Sequence, residues 1–225
     1  MIKKLIDFFN QFLTESRWAQ FNKIVDQRTR YITVVLEDIY QSQNASAVLR
    51  TCDCFGIQDI HIIENTNRFK INPDVVLGSS KWLNLNQYNT LENNTLSTIQ
   101  KLKESGYRII ATTPHINDVE LNDFDMDKGK FALFFGSELP GLSKLVLDNA
   151  DEFLKIPMFG FTESFNISVS ASIILHHLTF KLRNSEINWK LSEAEKDEIL
   201  YNWLKISLKD SDLIEKEFYK RNKTL

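Results

Sequence analysis

From Tyr31 onward the chain alternates short apolar runs rich in β-branched residues with segments of helical periodicity. This alternation constrains the fold more than any other feature. The runs fall at 32–36, 57–63, 107–113, 131–135 and 153–156, and helical patterns occupy about 44–54, 95–105, 143–149 and 166–183. Strands that alternate with helices give an α/β fold, a mostly parallel sheet with helices on both faces.

The flanks leave this rhythm. Ile2, Leu5, Ile6, Phe9, Phe12 and Leu13 fit one face of a helix, and Asp7, Asn10 and Gln11 interrupt the run before it resembles a signal peptide. Thr14 is placed to cap a second helix, with Trp18, Phe21, Ile24 and Val25 on one face and Arg17, Lys23, Arg28 and Arg30 largely elsewhere. Beyond residue 184, Ser192 and Glu195 form a capping box ahead of Ile199, Leu200, Trp203 and Leu204. A further helical pattern at about 211–222 ends in Lys216, Lys220, Arg221 and Lys223. The organisation expected is a basic helical arm at 1–30, an α/β domain at 31–183 and a helical extension at 184–225.

Residues 1–30 carry six Lys/Arg against three Asp/Glu, residues 31–180 carry 11 against 18, and residues 181–225 carry 10 against 9. The net charge of −3 argues against a nucleic-acid partner when taken alone. Its distribution places the basic excess on the two flanks. No stretch approaches the roughly 18 unbroken apolar residues of a membrane span. Two cysteines, Cys52 and Cys54, are too few for a disulfide framework and suit a reducing compartment. A cytoplasmic protein is expected.

Common site chemistries fail on spacing. No two of the seven glycines are separated by one residue, so the dinucleotide-binding turn is absent. Gly136 and Gly141 have P-loop spacing and Ser143 follows at the Ser/Thr position, but Leu142 stands where Lys is needed. His61, His115, His176 and His177 have no zinc-site spacing, and no metal is expected.

Three segments ask for more than a scaffold role. Asn44 to Arg50 follows the first strand, and its small Ala45, Ser46 and Ala47 allow close approach of another backbone, with Asn44 and Arg50 able to serve one end of the same helix. Leu133 to Ser143 is an apolar strand ending in a tight glycine turn with Glu138 at its tip. Ile156 to Gly160, continuing through Ser164 to Ser172, is a loop that feeds a helix crowded with hydroxyl residues. Such loops offer free backbone N–H and C=O groups, which suit a neutral hydrogen-bonding ligand such as adenosine.

Together these segments resemble the three motifs of the SPOUT superfamily of RNA methyltransferases, specifically its TrmH-type ribose 2′-O-methyltransferases. The resemblance covers roughly residues 31–180. It implies a deep trefoil knot in the C-terminal part of the domain, which general topology rules would not suggest. It also implies S-adenosylmethionine as cofactor, bound by Gly136, Ile156, Met158, Ser164, Phe165 and Asn166, and a homodimer formed through the knot region.

The resemblance makes Arg50, Asn44 and Glu138 the catalytic group. Arg50 would orient the ribose and an adjacent phosphate, Asn44 would fix Arg50 or the substrate, and Glu138 would hold the guanidinium. RNA would be gripped by Lys81, Arg17, Arg28, Arg30, Lys220 and Arg221. The two terminal arms look like those of the tRNA guanosine branch, so the expected reaction is 2′-O-methylation of guanosine 18 in the D-loop of tRNA. The alternatives are ribosomal RNA, a tRNA wobble nucleotide, or a non-catalytic RNA-binding protein of this fold. Many relatives carry His immediately before the motif asparagine, where this chain has Gln43.

Overall fold

The computed structural model describes residues 1–116 and 118–222; Lys223 lies outside them. Two compact units are present, Thr29–Trp189 and a second formed by Met1–Arg28 with Lys190–Leu225.

The larger unit is built on a seven-stranded sheet among the described residues. Its strands are β1 (Ile32–Glu37), β2 (Asp59–Ile63), β3 (Asn84–Tyr88), β4 (Arg108–Thr112), β5 (Val119–Glu120), β6 (Phe131–Phe135) and β7 (Glu152–Lys155). They stand in the order β3-β2-β1-β6-β4-β7-β5, and every pairing in the sheet is parallel. All residues of β1 and β6 are buried, as central strands covered on both faces must be.

Alternate residues of those strands feed two cores. Ile32, Val34, Leu36, Phe131, Leu133 and Phe135 pack with residues of α3 (Ser42–Phe55) and α7 (Ile167–Arg183). Val35, Ala132 and Phe134 face the other way; with them pack Ile99 and Leu102, and Val146. These come from two further helices. After the four-residue α4 (Pro73–Val76), they are α5 (Thr95–Glu104) and α6 (Lys144–Asn149). Small side chains let α3 and α7 approach closely: Ala45, Ser46 and Ala171 are fully covered, and Thr51 Oγ1 meets Ser172 Oγ at 3.2 Å.

One buried carboxylate ties the sheet to the loop after β6. Glu37, 3% exposed at the end of β1, accepts from Ser143 N at 2.8 Å, Ser143 Oγ at 2.7 Å and Thr95 Oγ1 at 2.7 Å. Three donors offset the desolvation of a buried charge. They also fix where the 136–143 loop re-enters the fold.

Two strands were not legible as apolar runs. β3 reads Asn-Leu-Asn-Gln-Tyr and β5 has two residues, and each stands at an edge of the sheet with a single neighbour.

The second unit contains α1 (Ile2–Asn10), α2 (Glu15–Val25), α8 (Glu193–Ser207) and α9 (Ser211–Asn222). The Thr14 cap accepts from Arg17 N, and the Ser192–Glu195 capping box is complete. Aromatic contacts join the two ends of the chain: Phe9 with Tyr201, Phe8 with Phe218, and Phe21 with Trp203. This packing corrects the expectation for Arg28. The residue is 2% exposed, with its guanidinium 5.3 Å from the Trp203 ring centre, so it is a cation of the helical core and not of an RNA-facing surface.

His61 lies in β2, stacked on Tyr88 with Nδ1 2.9 Å from the phenol oxygen, and burial pushes its pKa down to about 4. The folded protein therefore takes up this proton later than the unfolded chain, and stability falls as pH drops from about 6.5 toward 4. By pH 5 the loss from this residue should be about 2 kcal/mol. Urea unfolding at pH 7 and pH 5 should show that much less pH dependence in His61→Leu than in the parent, and equal dependence would refute the assignment.

Candidate functional site

The carboxyl ends of β6, β4 and β7 open onto one cavity of about 270 Å³. β6 contributes Phe135 and the loop from Gly136 to Leu142, β4 contributes Thr112 and Thr113, and β7 leads to Ile156 and Met158. Ser164, Phe165, Ile167 and Ser170 close it from the segment that enters α7. In an open parallel sheet this edge is where ligands bind.

The ionisable side chains in the lining are His115, Glu138 and Lys155, and Lys155 faces Glu120 at 3.6 Å. The remainder is backbone, hydroxyl and apolar surface. Such a lining offers a ligand main-chain and hydroxyl groups beside apolar surface.

Gly136 permits the turn. A Cβ built there would lie 2.2 Å from the carbonyl carbon and oxygen of Gly141 and 2.4 Å from Leu142 N. The loop doubles back across it, closed by Gly141 N donating to Ser137 O at 2.9 Å, with Gly141 itself at φ +68°. Only glycine lets the two backbones come this near.

Beside the cavity, three motif side chains form one hydrogen-bonded cluster. Asn44 Nδ2 donates to Glu138 Oε1 at 2.8 Å and to Gln41 Oε1 at 3.0 Å. Asn166 Nδ2 donates to the same Glu138 oxygen at 2.7 Å and to Asn44 Oδ1 at 3.1 Å. Asn166 Oδ1 then caps α7, accepting from Ser168 N at 2.9 Å and Ser168 Oγ at 2.6 Å. Segments following β1, β6 and β7 are thereby joined through one carboxylate oxygen.

The sequence residues divide accordingly. Gly136, Ile156, Met158, Ser164 and Phe165 line the cavity; Asn166 does not, and instead caps α7 within the cluster. Asn44 and Glu138 hold each other. Neither holds Arg50, contrary to the sequence expectation, and helix geometry gives the reason. Six residues along a helix turn the side-chain direction by about 240° net, so Asn44 is buried against the loops while Arg50 is exposed on another face. The Arg50 guanidinium has no ion pair or hydrogen bond among the described residues.

Lys81 sits exposed in the 3₁₀ turn Ser79–Trp82, and Arg30 is engaged by Asp59 at 2.8 Å. In the helical unit, Arg17 reaches Gln20 and the Phe21 ring, Arg221 pairs with Glu217 at 2.9 Å, and Lys220 is exposed. The sequence reading missed Thr112 and Thr113. A strand end followed directly by Pro114 was the available signal.

The SpoU rRNA Methylase family matches residues 31–176, and the chain belongs to it. A tRNA (guanosine(18)-2′-O)-methyltransferase of Borreliella burgdorferi is 44% identical over 214 residues, covering 95% of this chain and 96% of the relative. The enzyme of the same name from Thermus thermophilus is 33% identical over 162 residues, covering 72% and 81%. Among solved structures, the A. aeolicus TrmH/SpoU tRNA modifying enzyme superposes with a TM-score of 0.75 at 28% identity, covering 87% of this chain and 98% of that one. The SpoU methyltransferase AviRb of Streptomyces viridochromogenes, solved in complex with the cofactor AdoMet, shares the fold at 19% identity and a TM-score of 0.59, with 73% and 62% covered.

Gly136→Ala should force the 136–143 loop apart at a cost of about 2–3 kcal/mol, read as a Tm lowered by roughly 5–10 °C. Gly160→Ala is the control: its Cβ would find nothing nearer than 4.0 Å, and its Tm should match the parent.

Proposed function

We propose that this protein transfers the methyl group of S-adenosylmethionine to the ribose 2′-hydroxyl of guanosine 18 of tRNA. The observation that carries the reading is the convergence of three motif segments, through Asn44, Glu138 and Asn166, at a cavity lined largely by main-chain, hydroxyl and apolar groups. The relative 44% identical over nearly the full chain, named for guanosine 18 of tRNA, favours this substrate over ribosomal RNA.

The residues present fit the cofactor. The backbone turn that Gly136 permits shapes one wall of the cavity, and the 156–165 segment adds Ile156, Met158, Ser164 and Phe165 to the lining. When bound, S-adenosylmethionine supplies a sulfonium methyl that is electrophilic without further activation.

What remains for the protein is to present a ribose oxygen in line and to let its proton leave. Asn166 keeps the α7 entrance and the Glu138 loop in register, which makes it a positioning residue, and Asn44 does the same from α3. Arg50 is free to meet RNA. A guanidinium donates without accepting, so Arg50 orients the 2′-hydroxyl and a neighbouring phosphate. The proton goes to that phosphate.

The finer features of the family complete the proposal. A trefoil knot accounts for β6 lying between β1 and β4 while β7 follows on the far side of β4 and α7 returns to pack on α3. A homodimer through this region would cover apolar side chains left open here, among them Leu139, Phe159, Phe161, Val169 and Phe180. Arg17, Lys81, Lys220 and Arg221 are assigned to RNA contact. A tRNA substrate makes the cytoplasm the place of work. No helix among the described residues is long and apolar enough to cross a membrane.

Incubation of the protein with labelled S-adenosylmethionine and an unmodified tRNA transcript should place the label on the ribose of nucleotide 18; label on a base would overturn the reading. Arg50→Ala should reduce transfer at least 100-fold, of the order seen when a group acting on the transferred proton is removed. Its affinity for S-adenosylmethionine in a calorimetric titration should match the parent. Transfer within a few fold of the parent would take Arg50 out of the reaction.

A further inference from the structure

A second concavity of about 520 Å³ opens at the carboxyl ends of β1 and β2, apart from the Gly136 cavity. Its walls include Tyr40, Gln41, Gln43, Asn67, Arg68 and Lys70. Tyr40 is 79% exposed, and Arg68 and Lys70 are exposed with no ion-pair or side-chain hydrogen-bond partner among the described residues. No carboxylate lines the cleft.

The cleft is built and held. Asp38 Oδ1 accepts from Asn65 N at 2.8 Å, Thr66 N at 2.8 Å and Asn67 N at 3.1 Å, while Asn67 Nδ2 donates to Asp38 O at 2.9 Å. Asp38 adopts φ +49° to do so, a conformation that costs a non-glycine residue energy and persists where the surroundings enforce it. At the other end of the loop, Asn72 N donates to Ser46 Oγ at 2.8 Å. The segment that carries Arg68 and Lys70 is thus clamped to β1 and α3.

An open ring, two uncommitted cations and a rim of carboxamides and hydroxyls match the parts of one unpaired nucleotide. A base stacks on an aromatic face, phosphate oxygens meet Arg and Lys, and amides read the base edge. The cleft also shares a wall with the reaction site, because Gln41 accepts from Asn44 Nδ2.

We infer that this cleft holds a nucleotide flanking the one that is methylated, its base on Tyr40 and its phosphate on Arg68 and Lys70. Gln43 stands at this rim and is assigned to the base edge. The inference rests on the RNA-methyltransferase reading for the identity of the chain that enters, and it is tested by binding alone. Binding of an unmodified tRNA transcript is followed by fluorescence anisotropy without S-adenosylmethionine, across a salt series, for the parent, Tyr40→Ala, Tyr40→Phe and the double variant Arg68→Ala/Lys70→Ala. All these side chains are exposed, so folding is not at stake.

The double variant should bind about 10- to 100-fold more weakly and lose about 0.8 from the slope of log K against log salt, the share of one phosphate. Tyr40→Ala should lose about 10-fold, and Tyr40→Phe should keep parental affinity because the stacking face survives. Parental affinity and salt slope in both alanine variants would overturn the subsite, even if methylation proceeds normally. The predicted losses in a parent that binds tRNA but transfers no methyl group would uphold the subsite and refute the methyltransferase reading.

Discussion

A parallel strand in the middle of a sheet must find a hydrogen-bonding neighbour on each side, and the rest of this structure follows from where β6 finds its two. It lies between β1 and β4, so the loop that leaves it emerges at the centre of the sheet's carboxyl edge. From there it meets the start of α3 on one side and the ends of β4 and β7 on the other. Glu37 holds the loop's far end through Ser143. Were β6 at an edge, Glu138 could not lie within hydrogen-bonding distance of both Asn44 and Asn166.

The geometry separates two tasks that the motif residues seemed to share. Asn44, Glu138 and Asn166 satisfy one another, and so define the shape of the loops around the cavity. Arg50 belongs to the same helix as Asn44 but is turned away by helical periodicity. Among the described residues its charge has no internal partner, which is consistent with the proposed contact to an RNA phosphate. A carboxylate already shared by two amides has less to offer a guanidinium.

Much of the fold was legible because burial on two faces leaves a strong mark on a sequence. Runs such as Phe131–Phe135 have no other use. β3 was illegible for the converse reason: as an edge strand with exposed Asn86 and Gln87 it needs no apolar run, and its partner β2 supplies the register. Arg28 was misjudged since charge alone does not say which face of a terminal helix packs, and an indole from residue 203 could not be placed beside it beforehand. Of the cavity residues expected from the second and third segments, Gly136, Ile156, Met158, Ser164 and Phe165 lie around one space and Asn166 does not, while Thr112 and Thr113 were hidden because their contribution depends on sheet order and not on local pattern. The cleft at Tyr40 was hidden likewise: its cations lie almost 30 residues beyond the ring, and the Asp38 and Ser46 hydrogen bonds that hold their loop are not visible in local pattern.

The aromatic pairs of the helical unit have a consequence for the order in which the protein is made. Phe9 and Phe21 find Tyr201 and Trp203 only after the whole α/β unit has been synthesised. On the ribosome residues 1–28 are an apolar-faced segment without its partners, while the sheet behind them can already form. Domains generally fold as units during synthesis, and here α1 and α2 emerge before the sheet yet belong to a unit that needs α8 and α9, which emerge after it. The helical unit therefore closes only once α8 has been made: a chain truncated between α2 and α8 leaves Phe9 and Phe21 without the aromatic side chains that cover them.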